Sequence, residues 1–290
     1  MRILVPVDGS YYSRLAVSFV ANRVKQFGGD PTVVLLNVQN LVPELISRSL
    51  GLEAIEAYYQ AEGKKVFEAL DDILRSTGLE VKKTVRNGHY AHVISQVADE
   101  MNADLIVMGS HGRGAMTSLI MGSVSRDVLA VTQRPLLLVR GPDEMPKKLR
   151  IGICVDNSDY GRVAAEFVAD FHEFFGKDSE FSVISVVPSL NGVARDDIEN
   201  LDDSVGAESD AFKEAAGPVL NVFELAKIPL KPVCLVGNDP AKEIIKYAND
   251  HLDMIVMGSH GYGNFRASVL GSTAQHVAAG IRMPLLIIKR

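Results

Sequence analysis

The chain has 290 residues, enough for two domains of ordinary size, each with its own core. It is 47% hydrophobic, 23% charged and 7% aromatic, an ordinary α/β balance, and no apolar run reaches the roughly 20 residues of a membrane span. A formal net charge of −6 argues against nucleic acid as a partner, because phosphate backbones select basic surfaces. Met1-Arg-Ile-Leu-Val-Pro-Val-Asp8 is too short and too soon interrupted for a secretory signal and reads as a first strand. Short continuous apolar runs near 2–7, 32–38, 81–87, 104–109 and 135–139 read as strands covered on both faces. Between them, Leu15, Phe19 and Val20, and later Val93, Ile94, Val97 and Ala98, repeat at helical spacing. The long connection from 43 to 77 reads as a helix with an irregular start. Gly141-Pro-Asp-Glu-Met-Pro-Lys-Lys148, with proline and charge but no apolar pattern, reads as a linker.

The same order then repeats. Ile3-Leu-Val-Pro-Val-Asp8 matches Ile151-Gly-Ile-Cys-Val-Asp156, and Val33 to Val38 matches Phe181 to Val186. Val85 to Gly88 matches Cys234 to Gly237, and Arg134 to Val139 matches Met283 to Ile288. A period this long is a domain duplication rather than a solenoid repeat. The expected domains are 1–141 and 149–290, joined by 142–148. Alternating strands and helices imply a parallel sheet in each, with right-handed crossovers and helices on both faces. Ligands of such sheets sit past the carboxyl ends of the strands at the topological switch point.

One motif is duplicated at that place. Gly109-Ser-His-Gly112, nine residues, then Gly122-Ser123 recurs as Gly258-Ser-His-Gly261, nine residues, then Gly271-Ser272. A glycine cluster between a strand end and a helix start lets backbone N–H groups meet a phosphate; the plainer reading is a tight turn. The motif is neither a P-loop nor a dinucleotide fingerprint. Ser123 can cap its helix or donate to a phosphate oxygen. Asp8 and Asp156, closing the first strands, can cap the next helix or bond an adenine amino group or ribose hydroxyls. Ser10 and Ser158 read as helix caps. Ser110-His111 and Ser259-His260 read as loop histidines, since adjacent side chains rarely reach one another and no third acid is placed beside them. Arg113 and Arg266 read as solvated side chains, and the acid-rich stretch Asp196 to Asp210 carries no assigned chemistry. His89, His92, His172, His251 and His276 show no metal-ligand spacing. Cys154 and Cys234, inside apolar runs, read as buried thiols of a cytosolic protein.

Together, Val5-Pro-Val-Asp-Gly-Ser10, Asp104-Leu-Ile-Val-Met-Gly-Ser-His-Gly112 and the Gly-x2-Gly-x9-Gly-Ser spacing resemble the universal stress protein family, in both halves. The resemblance implies two tandem, doubly wound, Rossmann-like domains, each a five-stranded parallel sheet of order 3-2-1-4-5. Members with the full glycine motif bind ATP, which implies ATP, with or without Mg2+, in each half. Asp8 then faces adenine, Val38 meets the base through its backbone, Gly109 and Gly112 line the ribose and phosphate path, and Gly122, Ser123 and Val124 hold the phosphates. The matching positions are Asp156, Val186, Gly258, Gly261, Gly271, Ser272 and Thr273. The departures are Asn157 for Gly9 and Thr273 for Val124. The resemblance also implies pairing through the fifth strands, Leu136 to Val139 and Leu285 to Ile288, within the chain or in a homodimer. The expected function is a cytoplasmic, regulatory ATP-binding protein of the stress response, with no catalytic or metal-binding residue assigned. A slow ATPase or adenylyl-transferring enzyme on the same scaffold is the alternative.

Overall fold

The computed structural model describes residues 1–25, 27, 30–43, 51–110, 121–142, 145–188, 209–261 and 269–289. They form two units, Met1–Glu144 and Met145–Arg290. The N-terminal unit runs β1 (Arg2–Pro6), α1 (Tyr11–Val24), β2 (Thr32–Gln39), α2 (Leu52–Glu68), α3 (Asp71–Thr77), β3 (Lys82–Asn87), α4 (Tyr90–Glu100), β4 (Leu105–Gly109), α5 (Ser123–Val131) and β5 (Leu136–Val139). The C-terminal unit runs β6 (Arg150–Cys154), α6 (Asp159–Asp170), α7 (His172–Phe175), β7 (Glu180–Val187), α8 (Asp210–Ala226), β8 (Leu230–Val236), α9 (Pro240–His251), β9 (Met254–Gly258), α10 (Ser272–Gly280) and β10 (Leu285–Ile288).

Every strand pair within a unit is parallel. The orders are β3-β2-β1-β4-β5 and β8-β7-β6-β9-β10, so each unit follows the 3-2-1-4-5 scheme. Leu4 pairs with Val34 on one side and Ile106 on the other, which makes β1 central. The chain winds one way from β1 to β2 and the other way to β4, opening a crevice above the carboxyl ends of β1 and β4. The apolar runs are continuous because helices cover both faces: Ile3, Leu4, Val5, Leu35, Leu36, Leu105, Ile106 and Val107 are all fully buried. Each such side chain contributes at most about 1.5–3 kcal/mol of transfer free energy. From α1, Leu15, Ala16, Phe19 and Val20 face this sheet at helical spacing.

At the opposite edge, the aspartate preceding the fourth strand closes the sheet. Asp104 accepts the Arg2 N–H at 2.7 Å, and Asp253 accepts the Arg150 N–H at 2.9 Å. Asp253 also takes the Arg150 guanidinium through two bonds, at 3.0 and 2.9 Å. The long connection departs from expectation. It holds two helices rather than one, broken at Ala69 and Leu70, where the fully buried Leu70 anchors the bend; residues 44–50 lie outside the described set. Among the described residues, no helix is long and apolar enough to cross a membrane.

Candidate functional site

Two residues past the end of each first strand comes an aspartate, then a residue in the left-handed region, Gly9 at φ 78° or Asn157 at φ 64°. Asparagine tolerates that conformation better than most side chains, so the Gly9-to-Asn157 departure keeps the turn. Asp8 Oδ1 accepts the Ser10 N–H at 2.9 Å, and Asp156 Oδ1 accepts the Ser158 N–H at 3.3 Å. Each aspartate thus closes the turn that leads into its helix.

Ser10 is the N-cap of α1, and its Oγ accepts the Ser13 N–H at 3.2 Å, as expected. Ser158 departs from its expected role. It occupies the N-cap position of α6, but its side chain makes no capping bond. Ser123 and Ser272 depart too. The N-caps of α5 and α10 are Gly122 (φ −61°, ψ 152°) and Gly271 (φ −60°, ψ 152°), and the serines are the first helical residues. As glycines, the N-caps have no side chain to offer either helix, so among the described residues the first-turn N–H groups, which have no intrahelical partner, are left for an outside acceptor. Such an end carries partial positive charge and suits an anion.

In the C-terminal unit this helix end borders a cavity of about 740 Å³. Its wall brings together Asp156, Val186, Gly258, Gly261, Gly271, Ser272 and Thr273, all seven positions singled out in that half. The glycines pack in series: a Cβ on Gly261 would collide with Asp156 Oδ2, and one on Gly271 would sit 3.6 Å from the Gly261 nitrogen. Carboxylate, loop and helix end thus touch in turn. No lysine or arginine lines the cavity among the described residues. Leu270 is buried and lines the cavity beside Gly271.

In the N-terminal unit, Asp8 follows β1, the buried Val38 lies near the end of β2, Gly109 ends β4, and Gly122, Ser123 and Val124 start α5. Ser125 Oγ donates to the Gly109 carbonyl at 3.2 Å and ties helix to strand. Gly112, His111, Arg113 and Arg266 lie outside the described residues, as does the acid-rich stretch before Ser209.

Three features escape a sequence reading. Gly109 and Gly258 have no left-handed φ; a Cβ there would meet Tyr12 Cβ at 2.5 Å or collide with Tyr160 Cβ. These glycines let the first helix of each unit lie against the strand end. The two tyrosines hold matching places in the duplication, a signal that was available. Second, Ser259 Oγ and His260 Nδ1 are 3.1 Å apart, contrary to the expectation that neighbours do not meet. Ser259 is only 1% exposed and does not line the cavity, whereas His260 does, so the serine orients the imidazole and is no accessible nucleophile. Third, the fifth strands are followed by cations, Arg140 and Lys289. Burial lowers both, Arg140 to about 10, with Tyr12 acting in the opposite sense on Arg140. The His89 and His92 rings lie 5.2 Å apart and tilted by 52°, but no group of three metal-binding side chains occurs among the described residues.

A family model described as the universal stress protein family matches residues 1–140 and 149–289. The chain belongs to this family. A universal stress protein of Mycolicibacterium smegmatis is 24% identical over 300 residues, spanning 99% of this chain and 96% of that protein. Universal stress protein Sll1654 of Synechocystis is 34% identical over 137 residues, 47% of this chain and 83% of its own length. The crystal structure of a universal stress protein from Archaeoglobus fulgidus shares the fold, with a TM-score of 0.67 and 24% identity over 100% of this chain and 98% of that one. As in the Mycolicibacterium relative, the likeness runs through both halves of the tandem universal stress protein.

Proposed function

We propose that this universal stress protein binds an adenine nucleotide, ATP, in each half, and that occupancy changes its conformation or its partners in a regulatory role in the stress response. The observation that carries this reading is the uncapped N-terminus of α10 opening onto the 740 Å³ cavity, with Asp156 on the same wall. A cavity of that size suits a nucleotide-sized ligand. The helix end suits phosphate, and the carboxylate suits the amino or hydroxyl groups of the nucleoside. Asp8, Val38, Gly109, Gly112, Gly122, Ser123 and Val124 serve the first site. Mg2+, where present, arrives with the nucleotide on its phosphates. The binding domains are 1–141 and 149–290. The buried Cys154 and Cys234, neither in a disulfide, suit a cytoplasmic protein. The fifth strands pair within the chain or between two chains, since open apolar edges are unfavourable.

The test is to denature freshly purified protein and identify released nucleotide by mass spectrometry, then to titrate ATP with and without magnesium and follow turnover. Adenine nucleotide bound or bindable in both halves is expected. A protein that neither carries nor binds one overturns the reading, and turnover of about 1 per second or faster replaces it with an enzyme.

A further inference from the structure

We infer that the Ser158 hydroxyl is a nucleoside-binding group peculiar to the C-terminal site; this rests on the nucleotide reading above. The two units offer an internal control. In the N-terminal unit the equivalent Ser10 is committed to its helix: its Oγ accepts the Ser13 N–H at 3.2 Å, and Ser13 Oγ donates to the Ser10 carbonyl at 2.9 Å. Gly161 stands where Ser13 would, and its N–H bonds the Ser158 carbonyl at 3.1 Å instead. The Ser158 Oγ is buried and has no hydrogen-bond partner among the described residues.

A buried hydroxyl without a partner is unfavourable and calls for one that the fold itself does not provide. Ser158 belongs to the cavity wall, and with no capping bond to break, rotation about χ1 between staggered positions carries its hydroxyl to a ligand there. Charge decides which part of the nucleotide it meets. The Asp156 carboxylate, bonded to the Ser158 N–H, repels phosphate, which goes to the uncapped end of α10. The uncharged nucleoside is left on the Ser158 side, where sugar hydroxyls and base nitrogens all pair with a group that donates and accepts.

The experiment uses the full chain carrying Gly122→Val, so that the C-terminal site is read alone, with and without Ser158→Ala. Calorimetric Kd values are taken for adenosine, ATP and inorganic tripolyphosphate, and the ligand-free proteins are melted. The expected result is an equal loss of affinity for adenosine and ATP, roughly 3- to 10-fold, with tripolyphosphate unchanged and Tm equal or higher. Ser10→Ala, in the wild-type chain, is expected to lower Tm without changing nucleotide affinity. Unchanged Kd for adenosine and ATP, a loss that adenosine does not share, or a clear fall in Tm on Ser158→Ala overturns the inference and leaves the function standing. A wild-type chain that binds neither adenosine nor ATP overturns both.

Discussion

The motif glycines, alike in sequence, do different work. Gly109 and Gly258 make room for Tyr12 and Tyr160, whereas a Cβ on Gly271 would meet His260 Cα at 3.4 Å, an ordinary contact. Gly109→Ala and Gly258→Ala are therefore expected to cost about 1–3 kcal/mol of stability through overpacking, without any ligand present. Gly271→Ala is expected to leave stability within about 0.5 kcal/mol of the parent. Urea unfolding of the three variants separates the roles; a Gly258→Ala protein as stable as the parent refutes the packing assignment. At Cys154, burial pushes the thiol up to about 12 from an ordinary 9.0. At pH 8 roughly one molecule in 10⁴ then carries a thiolate, so native protein should resist iodoacetamide at this residue while unfolded protein reacts. The folded state holds this proton more tightly than the unfolded one. Its stabilising contribution is thus complete below pH 9 and is lost as pH rises from 9 towards 12. Cys154→Ala should flatten that alkaline decline in denaturant titrations at pH 8, 9.5 and 11.

At the scale of elements, the apolar runs declared the central strands because these are covered on both faces, and α1 declared itself through Leu15, Phe19 and Val20. The strand β3, expected to be covered likewise, is instead an edge strand whose Lys82, Lys83, Arg86 and Asn87 are exposed. The break between α2 and α3 was not legible, since it depends on Leu70 finding a buried place that local sequence does not specify. Ser158 was misread for a related reason: a serine after a turn is a good cap, but the glycine three positions on tightens the first turn. The aspartates before β4 and β9 were visible only as motif letters; their work at the amino edge of the sheet requires a partner about a hundred residues away. Asp253→Ala is expected to destabilise by about 1–2 kcal/mol, mostly through the orphaned Arg150 N–H. The Arg150 side chain is 49% exposed, so its ion pair adds little. Since this edge lies opposite the cavity, nucleotide affinity should not change, and a parallel loss of affinity in calorimetry would count against the separation of fold and site.

For the whole molecule, duplication was the most legible property, because both halves carry the same strands, turns and glycines in the same order. What the sequence left open is how far the two copies remain equivalent. Gly122 and Gly271 share backbone angles within a degree, so both helix ends are presented alike. Val124, partly exposed, faces Thr273 in the alignment, and the Ser10 side chain caps its helix where that of Ser158 does not. On the proposed function, two sites of one kind but unequal affinity are expected. The parent chain is expected to bind two ATP molecules, Gly122→Val and Gly271→Val one each, and the double variant none, by calorimetry or equilibrium dialysis. The backbone angles at both glycines suit valine, so the folds should survive; on the proposed function, the added methyls obstruct the helix end expected to meet phosphate. Binding to the native state alone stabilises by about 2.7 kcal/mol at 100-fold excess over Kd, so each single variant should keep an ATP-dependent rise in Tm that the double variant loses. If stoichiometry stays at two in both single variants, the helix ends are not where the phosphates bind.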